Sequence, residues 1–422
     1  MTAVEFYDRT PIENVISSLT TKPEKIIFIV SGNLAKKFEK RYERFAKSHK
    51  IEDIKVEFRK VFINNLDNIV EVLSDIAEKE EECFFDLTGG CDLMLVAMGI
   101  VKQKYSHKNI QMQRFNVNNG VVTDCDKDGN IIYSGAPELS VSENILIHGG
   151  DIRYIDNAKN QSSSEKKGTF KWNFTEQFIS DVEKMWNICK KNPGNWNINL
   201  NILGEIENIL KNHNSLNVSI PVSKVENYLS KEKIKDLEIG DFLSILEGEG
   251  LVHSLLIDAT DISFAYKDIQ VKNCLIKAGT VLEIKVLLSA KKLSDDKSKP
   301  YYNDAMNGVY IDWDGIFHER QEPIKDTENE IDVILMKGIV PVFISCKNGA
   351  VDDDELYKLE TVANRFGGLY AKKVLIATYL GKKSKESKKY FEKRAADMGI
   401  RFIDNFHKKT EKEILELIES LA

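Results

Sequence analysis

No apolar run in this sequence is long enough to cross a bilayer. The longest candidates, Leu93–Val101 and Val281–Ala290, fall short of the roughly 20 residues a membrane helix needs or are interrupted by charge. The first residues, MTAVEFYDRT, lack the basic region and apolar core of a signal peptide. The cysteines, at 83, 91, 125, 189, 274 and 346, form no C-x-x-C pair and have no histidine at zinc spacing. A zinc finger is thereby excluded, and scattered, reduced, buried cysteines are the expectation, as in a cytoplasmic protein. Walker A and G-x-G-x-x-G loops are also absent. Positive charge is not in excess: 59 Lys and Arg against 66 Asp and Glu leave a net charge of −7. That balance argues against tight, non-specific binding of duplex along a broad face. Local basic groups exist at Lys285, Lys291, Lys292, Lys297 and Lys299 and from Lys382 to Arg394, although such runs are more often solvated helix faces.

What is present is a chain of 422 residues, long enough for two or three domains. Residues 1–155 alternate strands and helices, the pattern of an open, Rossmann-like parallel α/β sheet. Strands are expected at Lys25–Val30, Lys55–Phe62, Cys83–Leu87 and Ile110–Phe115, with amphipathic helices between them. Val121–Thr123 and Asn130–Tyr133 flank an Asp-Gly turn and read as a hairpin. Residues 156–169, mostly NAKNQSSSEKKGT, read as a polar linker. Residues 170–254 read as a helical middle segment ending in a winged-helix-like module, and residues 255–422 as a third, α/β domain.

The stretch Asn329–Gly349, NEIDVILMKGIVPVFISCKNG, carries the most chemistry. Two strands joined at Lys337-Gly338 would put Glu330 and Asp332 on one face of the first, and Ser345 and Lys347 on one face of the second, because side chains alternate along a strand. Upstream, Glu283 stands in an otherwise apolar helix. Carboxylates of this kind hold Mg²⁺ or Mn²⁺, which acidifies a water and neutralises charge on a phosphate; a lysine stabilises the same charge. The plainer alternative is a surface ion pair between Glu283 and Lys347 on a structural hairpin.

Two further loops lie where the carboxyl ends of sheet strands meet helix N-termini, the place where open α/β sheets bind ligands. These are Ser31-Gly32-Asn33 and Thr88-Gly89-Gly90-Cys91-Asp92. Other motifs have simpler readings. Asp124, Asp126 and Asp128 imitate an EF-hand start without its closing glutamate, His148–Asp151 reads as a boundary turn, and Trp172 and Trp186 have helix-packing spacing.

The hairpin resembles the PD-(D/E)XK nuclease superfamily, with Glu283 matching the helix acid, Asp332 the metal-binding aspartate and Lys347 the lysine. Ser345 departs from the pattern, standing where the family has an acid, and Glu330 or Glu360 is the candidate for the displaced oxygen. The run Asp86–Gly90, DLTGG, resembles the threonine-glycine-glycine signature of CARF domains, the Rossmann-like sensors of CRISPR defence. A CARF domain ahead of a restriction-endonuclease-like domain is the layout of the cyclic-oligoadenylate-activated nucleases of type III CRISPR systems. The resemblance implies a homodimer that binds cyclic tetra-adenylate, uses Mg²⁺ or Mn²⁺, and cleaves DNA, RNA or both. Two rivals are a non-catalytic regulator with a degenerate nuclease domain and a constitutive restriction-type endonuclease.

Overall fold

A computed structural model describes residues 1–7, 11–31, 35–117, 119–126, 128–135, 137–155, 168–211, 215–231, 239–295, 298–315, 327–379 and 385–422. Its first part runs β1 (Thr2–Phe6), α1 (Ile16–Thr20), β2 (Lys25–Val30), α2 (Ala35–His49), β3 (Lys55–Lys60), α3 (Leu66–Lys79), β4 (Glu82–Asp86), α4 (Asp92–Lys104), β5 (Asn109–Asn116), β6 (Val121–Asp124), β7 (Ile131–Ser134), α5 (Val141–Ile147) and β8 (Asp151–Ile152). Strands β1 to β7 form one sheet of order β3-β2-β1-β4-β5-β6-β7. Its first five strands are parallel, and the β6–β7 hairpin closes one edge antiparallel. The expected strands and hairpin are found, and Asp128 (φ +54) and Gly129 (φ +70) take the left-handed pair that a tight hairpin turn requires. The middle one of the five parallel strands, however, is β1, which the sequence reading missed because Glu5 interrupts its short apolar run. With β1 in place, strand order reverses between β1 and β4, so the sheet has a topological switch point there.

The middle part comprises α6 (Glu176–Cys189), α7 (Pro193–Leu210), β9 (Asn217–Pro221), α8 (Val222–Lys231), α9 (Ile239–Gly248), β10 (Val252–Ile257) and β11 (Asp261–Tyr266). Its strands form an antiparallel sheet of order β10-β11-β9, so the boundary read after residue 254 falls inside β10. The last part comprises α10 (Ile269–Leu275), α11 (Thr280–Lys292), β12 (Asp304–Asp312), β13 (Glu328–Lys337), β14 (Val340–Lys347), α12 (Asp353–Gly367), β15 (Lys372–Ala377), α13 (Lys385–Asp397), β16 (Ile400–Ile403) and α14 (Glu411–Glu419). Its sheet has the order β16-β15-β14-β13-β12-β8. The chain is therefore a mixed α/β protein, and among the described residues no helix is long and apolar enough to cross a membrane.

Strand β8 belongs by sequence to the first part yet pairs with β12 at the edge of the last sheet. Residues 156–167 of the expected linker lie outside the described residues, but its end is firmly placed. Thr169 is buried, bridges Tyr154, and accepts a hydrogen bond on its hydroxyl from the Tyr310 amide at 2.9 Å. Helix α5, opened by a Ser140/Glu143 capping box, packs between the two large sheets. Asn144 donates to the Phe366 carbonyl at 2.7 Å, and Leu139, Val141 and Ile145 share a core with Val309, Ile334 and Phe366.

Two expectations need correction. All the cysteines are free, but Cys91 and Cys125 are exposed, because they sit at a helix N-cap and beside a hairpin turn rather than within the core. Lys285 is not on a solvated basic face: its side chain is 1% exposed and paired with Glu183 at 3.0 Å and Glu411 at 2.7 Å. It clamps α6 and α14 onto α11.

At the joint between the sheets, a methyl group on Gly150 would stand 2.6 Å from Phe366 Cε1 and 2.7 Å from the Asp312 carbonyl oxygen. Gly150→Ala should therefore lower stability by about 1–3 kcal/mol, the usual effect of overpacking. Thermal unfolding tests this, and an unchanged Tm would mean that the joint is looser than described.

Candidate functional site

The hairpin forms in the expected register. Val333 pairs with Ile344 and Lys337 with Val340, which sets Asp332 across from Ser345. Both side chains, with Glu330 and Lys347, line one cavity of about 180 Å³ between the hairpin and α12. Asp332 is fixed by the Cys346 amide, which donates to Oδ2 at 2.6 Å, and by the Ser345 hydroxyl at 3.3 Å. Ser345 thus orients the aspartate and adds no charge of its own. Lys347 pairs with Glu355 on the first turn of α12 at 2.7 Å. Sequence reasoning missed Glu355. Its position, three residues into a helix opened by the Asp352 cap, is the only signal, and it is a weak one.

Glu283 comes from α11, whose apolar side chains are buried all round. Its carboxylate is 4% exposed, so a surface ion pair with Lys347 is not what the structure holds. Burial first, and then the charge of Asp332, push its pKa up to about 8. Asp332 is raised as well, chiefly by burial, with Lys347 and the Cys346 amide opposing. Glu330 is committed elsewhere: Lys277 pairs with it and the Tyr310 hydroxyl donates to it at 2.7 Å. Burial alone would lower the Lys277 pKa, but Glu283, Glu330 and Asp332 outweigh it and hold the lysine charged. Glu360 is not brought to the site. It pairs with Lys373 on β15 at 3.3 Å, because five positions separate it from Glu355 and place it on another face of α12.

Mg²⁺ or Mn²⁺ was the expected cofactor, and the crowding of Glu283 and Asp332 is the observation that fits one. Two desolvated carboxylates, one of which raises the other's proton affinity, are relieved by a shared cation. The fit is partial. Among the described residues no three His, Cys, Asp or Glu side chains already converge on a metal position. Glu330 would have to leave Lys277 to serve as a third.

At the carboxyl ends of the first sheet, Gly32 and Asn33 lie outside the described residues, and Ser31 is half-buried after β2. Thr88 is used internally: its amide donates to Asp86 Oδ1 at 2.8 Å, its hydroxyl donates to the same oxygen, and it accepts from the Phe115 amide at 3.0 Å. The conformational demand falls on Gly90 (φ +104), where a Cβ would stand 3.2 Å from Phe6; Gly89 carries no such positive φ. Asp92 is exposed on the first turn of α4. Beneath this loop lies a feature the sequence reading missed. Glu5 and Asp86, on adjacent strands, are both buried. Glu5 is pushed well above the carboxylate range by burial and by Asp86; Asp86 rises by burial, tempered by Ser17, Thr88 and Gln113.

The fold and these two loci define a class: an α/β protein with a switch-point loop in one sheet and an acid–lysine hairpin in another. No family model and no curated protein sequence matches the chain. Solved structures do. Protein VC1899 from Vibrio cholerae superposes with a TM-score of 0.72 at 17% identity, covering 99% of this chain and 97% of that one. Can2 from Sulfobacillus thermosulfidooxidans, solved in complex with cyclic tetra-adenylate, superposes with a TM-score of 0.65 at 16% identity, covering 99% of each. At such identities the likeness is one of fold.

The raised Glu283 pKa has a signed consequence. Its folded value, about 8, lies above the ordinary 4.5. The stabilisation from its bound proton is therefore complete below about pH 4.5 and lost as pH rises through about 8. In chelator-treated protein, wild type should lose Tm relative to Glu283→Gln across that window, by a few degrees. Parallel curves for the two proteins would show that Glu283 does not hold a proton at neutral pH.

Proposed function

We propose that this protein is a nuclease dependent on Mg²⁺ or Mn²⁺, cleaving DNA, RNA or both, and switched on by a cyclic oligoadenylate, with cyclic tetra-adenylate the first candidate. The single observation that carries the catalytic half is the buried Glu283–Asp332 pair facing a lysine across one hairpin. The sensor half is supported by the DLTGG loop at a switch point and by a fold shared end to end with a protein solved with cyclic tetra-adenylate. A symmetric ring suits a two-fold homodimer, in which each protomer lends the same loop.

A bound divalent cation would supply an acidified water and charge neutralisation. The chain's own residues do the rest. Asp332, oriented by Ser345 and the Cys346 amide, and Glu283 present the anionic oxygens. Lys347, freed from Glu355, stabilises charge growing on the phosphate. The Lys347–Glu355 and Lys277–Glu330 pairs hold the resting arrangement, so activation amounts to a shift away from them. Helix α12 is the physical link. It carries Glu355 at one end, and at the other Arg365, which donates to the His148 carbonyl at the end of α5. α5 in turn packs on α2 of the sensor sheet.

The test incubates wild type and variants with plasmid, single-stranded DNA and RNA in Mn²⁺, with and without cyclic tetra-adenylate. Asp332→Asn and Lys347→Ala should each lose at least about 100-fold in rate while calorimetric binding of the nucleotide is unchanged. Glu330→Gln should weaken the Mn²⁺ dependence as severely as Asp332→Asn, whereas Glu360→Gln should not. Nucleotide binding with no cleavage of any substrate would favour the regulator reading, and full cleavage without nucleotide the constitutive one.

A further inference from the structure

A second cavity, of about 440 Å³, opens beside the acids. Its size falls in the range of small-molecule sites, roughly 300–1,000 Å³. Glu283 and Glu330 form one wall, so it adjoins the hairpin cavity, which shares Glu330. The remaining walls divide by chemistry. Phe170, Trp172 and Tyr310 supply aromatic surface. Trp172 lies parallel to the buried Phe178, with centroids 5.6 Å apart, and meets Phe170 edge-on at 4.6 Å, so its ring plane is fixed from behind. Asn273 and Asn307 supply amides, and Asn307 is 5% exposed. Beside Asn307, Gly308 takes φ +57 with nothing within 4 Å of where a Cβ would be, which leaves the cavity mouth open.

Glu330 is paired with Lys277, which also lines the cavity, and Glu283 is held protonated, so this wall offers no free charge for an ionic ligand, while rigid rings and amides suit a flat, neutral heterocycle that both donates and accepts hydrogen bonds. We propose that this cavity takes one unpaired nucleobase of the substrate strand, stacked on the Phe170/Trp172 aromatic wall and contacted by Asn307 and Asn273. That base belongs to the nucleotide adjoining the phosphate that faces Lys347 in the hairpin cavity. The inference rests on the nuclease reading and narrows its substrate to strands whose base at that position is out of a duplex, because a paired base cannot leave the stack without an unpairing cost.

The experiment reads binding and so does not depend on cleavage. Fluorescence anisotropy measures the affinity of the full chain for a labelled single strand in Ca²⁺, with and without cyclic tetra-adenylate, as one abasic site is moved along the strand. One position should lose about tenfold or more in affinity, the effect of a lost base–aromatic stack. Trp172→Leu should weaken the intact strand by a similar factor and abolish the dependence on position. Asn307→Ala, which leaves the aromatic wall in place, should change which base is preferred at that position. A strand indifferent to the abasic site, an undiminished positional loss in Trp172→Leu, or no strand binding at all would overturn the proposal. Position-dependent binding without any cleavage would leave it standing and overturn the nuclease reading instead.

Discussion

Two carboxylates cannot share a dry volume as free anions, and the last sheet is built so that Glu283 and Asp332 must. α11 is buried from Thr280 to Ala290, which leaves the Glu283 side chain only 4% exposed. Even its N-cap is shaped to it: a Cβ on Gly279 would stand 3.1 Å from Glu283 Oε1. Asp332 is pinned by the backbone of the opposing strand. The strain is electrostatic and is met in the described state by a proton on Glu283 and by the neighbouring ammonium groups of Lys277 and Lys347. On the proposed reading, a hard divalent cation would take the place of that proton.

The same device appears in the first sheet. Glu5 and Asp86 sit side by side under the DLTGG loop, and again burial raises both. Asp86 spends its oxygens on Ser17 and Thr88, so the loop's shape depends on a buried carboxyl group. Between the two acid pairs runs a continuous body of α2, α5 and α12, closed tightly enough at Gly150 that a side chain there would collide with Phe366 and the Asp312 carbonyl. His148, two positions before Gly150, is held neutral, its pKa pushed down to about 4 by burial. The proposed switch runs through this joint because packed interiors repack between discrete arrangements and do not deform smoothly.

Much of this was legible in the residues. The alternation in 329–349 placed Asp332, Ser345 and Lys347 on shared faces, and the register bears that out. The lone glutamate in an apolar helix marked Glu283, and its burial in the structure excludes the alternative of a surface ion pair with Lys347. β1 was not legible, since its apolar pattern is short and broken by the very residue, Glu5, that makes it interesting. Nor was Glu355 distinguishable from Glu360: both lie on one acidic helix, and only the packing of α12 decides which face meets Lys347. The buried pairing of Lys285 was hidden because its partners, Glu183 and Glu411, are more than 100 positions away in sequence.

The account stands or falls on whether the crowded acids accept a cation. Titration calorimetry with Mn²⁺ at pH 7, repeated in buffers of different ionisation enthalpy, measures both the binding and the protons it releases. The prediction is saturable binding accompanied by release of a proton from Glu283, with the proton release abolished in Glu283→Gln and the affinity sharply reduced in Asp332→Asn. Binding with no proton release, or Mn²⁺ affinity unchanged in Asp332→Asn, would contradict it.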